Sequence, residues 1–127
     1  MAKEKIKPIQ KIRGTYDVLP TDQPYWQQAE KVSVSFLEKA GFNRIDLPIF
    51  EDFFLFSRSV GEETDIIEKE MYTFRDRGDD ILALRPEGTA SVVRSYIENG
   101  MHNLPQPVRL YYTGPMFRYE RPQAGRN

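Results

Sequence analysis

The sequence predicts an α+β domain, a mainly antiparallel sheet flanked by helices. An amphipathic helix pattern comes early, two short apolar runs are then joined by hairpin turn residues, and a second helix is followed by a long strand pattern. With 127 residues, 39% of them apolar and 13% aromatic, the chain carries enough apolar material for one compact domain, or part of one, and too many rings for a disordered segment.

The elements follow in order. Met1 to Gln10 is basic and reads as an extended arm. Thr21 or Asp22 can cap a helix that Pro24 starts, because proline is tolerated in the first turn and a short oxygen-bearing side chain satisfies free amides. Tyr25, Ala29, Val32, Phe36 and Ala40 then repeat at helical spacing as one apolar stripe, widened by Trp26 and Leu37, and Gly41 is a natural C-terminal cap. Ile45, Leu47 and Ile49 alternate with polar residues and Pro48, which predicts a strand with the proline at an edge or strand end. The cluster Phe53 to Phe56 is too apolar for solvent and predicts a short core helix or turn, and a polar loop over Ser57 to Glu68 follows. Glu70 to Phe74 and Ile81 to Leu84 predict a hairpin, with the Gly and Asp residues of Arg75 to Asp80 supplying the turn. Pro86 ends the strand at Arg85. A helix then places Ala90, Val93 and Ile97 on one face until Asn99-Gly100. Beyond the loop Leu104 to Pro107, a strand carries Val108, Leu110 and Tyr112 on one face, breaks near Gly114-Pro115 and resumes through Phe117 to Glu120.

A net charge of -1 lacks the basic signature of a dedicated nucleic-acid-binding domain, but the charge is unevenly spread. Residues 1 to 13 hold five basic side chains against Glu4, residues 14 to 108 hold nine basic and seventeen acidic, and Arg109, Arg118, Arg121 and Arg126 face only Glu120 at the end. Those arginines suit either a phosphate-bearing ligand or an ordinary solvated surface. Without cysteine there is neither a disulfide framework nor a thiolate metal site, and the single His102 cannot build a zinc site alone. No apolar run suits a signal peptide or the roughly 20 residues of a membrane span, so the expected location is cytoplasmic, without a membrane partner.

Two segments carry candidate chemistry. In Phe117-Arg118-Tyr119-Glu120, strand alternation puts Arg118 and Glu120 on one face. They can form a salt bridge, or span a nucleotide with the guanidinium on phosphate and the carboxylate on an exocyclic amine. In Leu84-Arg85-Pro86-Glu87-Gly88-Thr89-Ala90, a strand end meets a helix start. There Thr89 can cap the helix while Glu87 favours its dipole, or Glu87 and Thr89 can hold an ammonium group.

Both segments resemble the histidyl-tRNA synthetase family. Phe-Arg-x-Glu after Gly114-Pro115-Met116 resembles motif 2 of class II aminoacyl-tRNA synthetases, here spanning about 108–127, and Arg85 to Ala90 resembles the family's segment that binds the amino group of histidine. Arg13-Gly14-Thr15 with Asp17 and Leu19-Pro20 is similar to the family's opening, and Lys69 to Phe74 to its central strand. Residues about 24–51 resemble motif 1, the class II dimer interface, to which Pro48 would belong. The resemblance implies an incomplete class II catalytic domain over 1–127, without the anticodon-binding domain. It implies histidine contacts from Glu87, Gly88, Thr89 and Arg118, with Arg118 also catalytic. It further implies ATP contacts from Arg118, Glu120 and Arg126, with no protein metal site.

The implied reaction activates histidine with ATP, assisted by Mg2+, to histidyl-adenylate and then transfers it to tRNA(His), in a homodimer when the enzyme is full-length. Two alternatives stand beside it: a non-catalytic fragment, and a synthetase-like regulatory subunit of histidine biosynthesis. His102 and the acidic run Glu62 to Asp65 receive no site role.

Overall fold

In a computed structural model, residues 4–58 and 70–119 are described. The chain divides into an N-terminal unit running to Ser35 and a larger unit from Phe36 onward. The predicted loop over Ser57 to Glu68 lies mostly outside the described residues, though Ser57 and Arg58 belong to a helix.

In the N-terminal unit the basic arm is exposed and turns at Ile12 to Thr15, where Gly14 takes a φ of 87° and the Thr15 amide donates to the Ile12 carbonyl. Helix α1, Gln23–Lys39, starts where the sequence places it. Its apolar stripe, however, is not a core. No residue of α1 is buried, and Phe36 is 72% exposed. The helical spacing marks a genuine amphipathic face, but a face becomes a core only where its residues are buried. The helix ends as predicted: Gly41 has a φ of 87°, and the amides of Gly41 and Phe42 donate to the carbonyls of Glu38 and Leu37.

The larger unit holds two sheets. Strands β1 (Asn43–Arg44) and β5 (Leu110–Tyr111) pair in parallel, with Asn43 opposite Leu110. Strands β2 (Phe50–Asp52), β3 (Thr73–Arg75) and β4 (Ile81–Leu84) form an antiparallel sheet in the order β2-β4-β3. The hairpin is therefore as expected, although β3 is displaced toward the turn. Asp76 organises that turn by accepting the Asp80 amide at 2.9 Å, and Asp79 takes a φ of 65°, a conformation that Asp tolerates better than most residues.

The predicted strand over Ile45 to Ile49 is corrected: that segment is the gap between β1 and β2. The Ile45 amide still bonds Tyr111 of the parallel pair, while the Ile49 carbonyl takes the Arg85 amide beside the other sheet. Pro48, which cannot donate, sits where the chain passes from one sheet to the other. The long strand from Val108 is likewise reduced to Leu110–Tyr111, and Tyr111 rather than its neighbours is buried. The Tyr111 hydroxyl donates to Glu38 Oε1 at 3.1 Å, which satisfies its polar end.

Helix α2, Phe53–Arg58, confirms the short core helix, and Asp52 caps it by accepting the Phe54 amide at 2.9 Å. Phe56 is 1% exposed and packs with Met71, Ala83 and Ala90, flanked by Phe53 and Leu55. Helix α3, Thr89–Glu98, stops at Asn99-Gly100 as expected, but its buried residues are Ala90, Ser91 and Ser95. Val93 and Ile97 are exposed. The reason is an ion pair: Arg94 grips buried Glu51 of β2, with Nη2 to Oε1 at 2.9 Å and Nε 2.7 Å from Oε2 outside hydrogen-bond alignment. That grip turns the Ala90, Ser91 and Ser95 side inward.

Two outcomes follow from this packing. Phe56→Ala should destabilise the fold by about 3–5 kcal/mol, read as a lower denaturation midpoint in urea. Burial, with the Glu38 bond, holds the Tyr111 phenol above its ordinary value of 10.0, so the folded state keeps that proton longer than the unfolded chain. The Tyr111 contribution should be intact below the ordinary phenol value and decline as pH rises through the raised one. In a urea titration repeated across alkaline pH, Tyr111→Phe should remove that part of the decline.

Candidate active site

Between β4 and α3 the chain crosses through Arg85-Pro86-Glu87-Gly88. The Glu87 carboxylate folds back over the helix start, accepting the Thr89 amide through Oε2 and the Ala90 amide through Oε1, the latter at 3.1 Å. Capping therefore falls to Glu87, not to Thr89. Thr89 is already the first helical residue, so its own amide is among those that need a partner, whereas a carboxylate two positions earlier can reach them and also meets the positive end of the helix dipole. Each oxygen retains accepting capacity for a further donor.

Gly88 is fixed by its neighbour. A Cβ at Gly88 would fall 2.2 Å from Cε2 and 2.7 Å from the hydroxyl of Tyr112, so the Tyr112 ring lies directly against this loop. Glu87 and Thr89 open on a cleft of about 670 Å³ whose walls include Leu55, Ala90, Val93 and Ile97. Arg94 and Glu98, joined by an ion pair, also line it. Burial disfavours the charge on Arg94, but Glu51 and Glu98 outweigh that and raise its pKa, so this arginine is a fixed cation. A carboxylate and a hydroxyl beside apolar walls suit an ammonium group carried on a compact organic body.

Arg118 does not line that cleft. Its link to the loop is direct nonetheless, because Nε donates to the Pro86 carbonyl at 2.9 Å, next to Glu87 in the chain. The Phe117 amide adds a bond to the Arg85 carbonyl at 2.9 Å. The structure thus brings Glu87, Gly88, Thr89 and Arg118 into one neighbourhood. Glu120 and Arg126 lie outside the described residues, and so does the Glu62 to Asp65 run. Pro48 is exposed just before β2, and His102 is exposed in the 3-10 turn Met101–Asn103. Among the described residues no three His, Cys, Asp or Glu side chains converge, so these residues offer no ready set for magnesium.

Sequence reasoning missed Tyr112 and Arg85. Tyr112 read as one more strand-face residue, and its contact partner is 24 positions earlier. Arg85 read only as the residue before a proline. It is 4% exposed, with its guanidinium on the Pro115 and Leu47 carbonyls, and nothing local in the sequence marks an arginine for burial.

Gly88→Ala should lower stability by about 1–3 kcal/mol through overpacking against Tyr112, and Gly88→Ala with Tyr112→Ala should recover part of that loss. A double-mutant cycle by chemical denaturation measures it, and strict additivity would remove the contact from consideration.

Comparison with known proteins accords with this geometry. A histidine–tRNA ligase of Desulforamulus reducens is 61% identical over 114 residues, which are 90% of this chain and 27% of that protein. The apo histidyl-tRNA synthetase of S. aureus superposes with a TM-score of 0.76 at 46% identity, covering 88% of this chain and 26% of that one. A Bacillus halodurans protein described as an ATP phosphoribosyltransferase regulatory subunit/histidyl-tRNA synthetase shares the fold, with a TM-score of 0.73 at 23% identity over 91% of this chain and 30% of its own. The chain spans about a quarter of the length of the curated relatives it matches. The sequence profile of the family described as histidyl-tRNA synthetase matches residues 14–127, and with the Glu87 to Arg118 neighbourhood in place this chain belongs to the histidyl-tRNA synthetase family.

Proposed function

We propose that this chain forms the amino-group and α-phosphate side of an active site that activates histidine with ATP to histidyl-adenylate and then passes the histidyl group to tRNA(His). The observation that carries the reading is the junction at the start of α3, where Glu87 and Thr89 share a cleft and the Pro86 carbonyl holds Arg118 beside them. The Desulforamulus and S. aureus relatives, named histidine–tRNA ligase and histidyl-tRNA synthetase, support the same assignment.

In this reading the histidine carboxylate attacks the α-phosphorus of ATP and pyrophosphate leaves, with no protein nucleophile. Glu87, steadied by two amides, takes the substrate ammonium, with Thr89 adding its hydroxyl and Gly88 leaving room for the Tyr112 ring that backs the loop. Arg118, fixed through Nε, turns its terminal nitrogens to the phosphate and offsets the charge that builds there during attack. The work is positioning and charge stabilisation. Glu120 takes the adenine amino group and Arg126 the γ-phosphate or the acceptor end of tRNA. When bound, Mg2+ neutralises phosphate charge. Pro48 lies at a homodimer interface, in an enzyme of the cytoplasm. Among the described residues no helix is long and apolar enough to cross a membrane.

The test is histidine-dependent exchange of pyrophosphate into ATP, measured on this chain and on a chimera in which it replaces the matching segment of the Desulforamulus ligase. The chimera should exchange and the chain alone should not. Within the chimera, Arg118→Ala should lower exchange by about 100-fold or more, and Glu87→Ala should chiefly raise the KM for histidine. A folded chimera that fails to exchange, yet binds an ATP phosphoribosyltransferase, would assign the chain to a regulatory subunit instead.

A further inference from the structure

We propose that Arg85 is a positioning residue for Arg118, an inference that rests on the ligase reading and deepens it. The side chain lies almost wholly out of solvent, yet among the described residues no carboxylate pairs with it. Its charge is spread instead over backbone carbonyls, with Nε donating to Pro115 at 2.9 Å and Nη1 to Leu47 at 3.2 Å. Its main chain does the same work. The Arg85 amide donates to Ile49 at 2.8 Å, and its carbonyl accepts the Phe117 amide at 2.9 Å.

Two of these contacts bear on the segment that carries Arg118, and the neighbouring residue adds a third. Arg85 holds Pro115 from its side chain and Phe117 from its backbone, and the next residue, Pro86, holds the Arg118 side chain itself. Just before them Gly114 has a φ of 153°, and a Cβ there would fall 2.4 Å from Arg85 Nη2, so the guanidinium fills the space beside this backbone. A planar fork can donate in two directions at fixed angles, here to segments 30 and 38 residues away. Lysine carries its three donors on one mobile nitrogen and cannot reproduce that fork. The Arg85 guanidinium thereby fixes where the Arg118 segment enters the site relative to Glu87.

A clamp that only stabilised the fold would predict additive losses, whereas a residue acting through Arg118 predicts none once Arg118 is gone. The experiment is a double-mutant cycle on pyrophosphate exchange in the chimera, at a temperature where circular dichroism shows each variant folded. Arg85→Lys should lower kcat by about 10- to 100-fold, because small misplacements near a reacting phosphate are costly. In the Arg118→Ala background the same change should cost less than about twofold. Gly114→Ala pushes on the guanidinium from the other side and should show the same pattern if Arg85→Lys is unfolded. Multiplicative losses, or a single-variant effect below about twofold, would overturn the proposal. No exchange by the unsubstituted chimera would overturn the ligase reading, and the proposal with it.

Discussion

A guanidinium at 4% exposure is tolerable only when its donors meet acceptors, and Arg85 meets that condition with carbonyls drawn from two separate stretches of chain, at Leu47 and at Pro115. Removing a partner from such a group leaves a charge buried without compensation, which is far more costly than the pairing is favourable. The geometry around it is correspondingly fixed. Leu47 and Ile49 on one side and Pro115 to Phe117 on the other are tied to the one residue that also ends β4. Because α3 begins four residues later, the position of Glu87 is set by the same knot.

In the proposed reading, Glu87 combines a structural role with a binding role on one side chain. Two amides on its carboxylate fix the rotamer and place negative charge at the positive end of α3. A carboxylate held this way loses little entropy when a ligand ammonium arrives, because its orientation is already set. In that reading the arrangement that caps α3 is the one that would receive the ammonium.

The parts that were legible in the sequence are those set by local chemistry. Gly41 ends α1, Asp residues shape the hairpin turn, Asn99-Gly100 ends α3, and the phenylalanine cluster forms a core helix. The parts that were not legible depend on contacts distant in sequence. Alternation over Ile45 to Ile49 suggested a strand, but which residues join a ladder is decided by partners at Tyr111 and Arg85. The α1 stripe shows the converse: periodicity identifies a face, but only a second surface makes it a core. In the candidate site, motifs single out Glu87, Thr89 and Arg118, whereas none singles out Arg85 or Tyr112, because each acts across about 30 residues or on a glycine elsewhere.

Helix α3 adds one further consequence. Its most apolar face would ordinarily be the one to bury, yet the Glu51–Arg94 pair turns Ser91 and Ser95 inward and leaves Val93 and Ile97 outside, the latter 68% exposed. Side chains left in water forgo the transfer free energy that burial would have contributed, so the helix is held by the ion pair and the packing of Ala90 instead. What the helix gains is an apolar wall running away from Glu87 and Thr89. An ammonium-binding carboxylate next to water is weakly selective, because water screens the charge and competes for each donor. Beside an apolar wall the same carboxylate favours a ligand that brings both an ammonium and a body able to displace water. In the proposed site, the Glu51–Arg94 pair, by setting which face of α3 is exposed, therefore bears on which ligands Glu87 would hold.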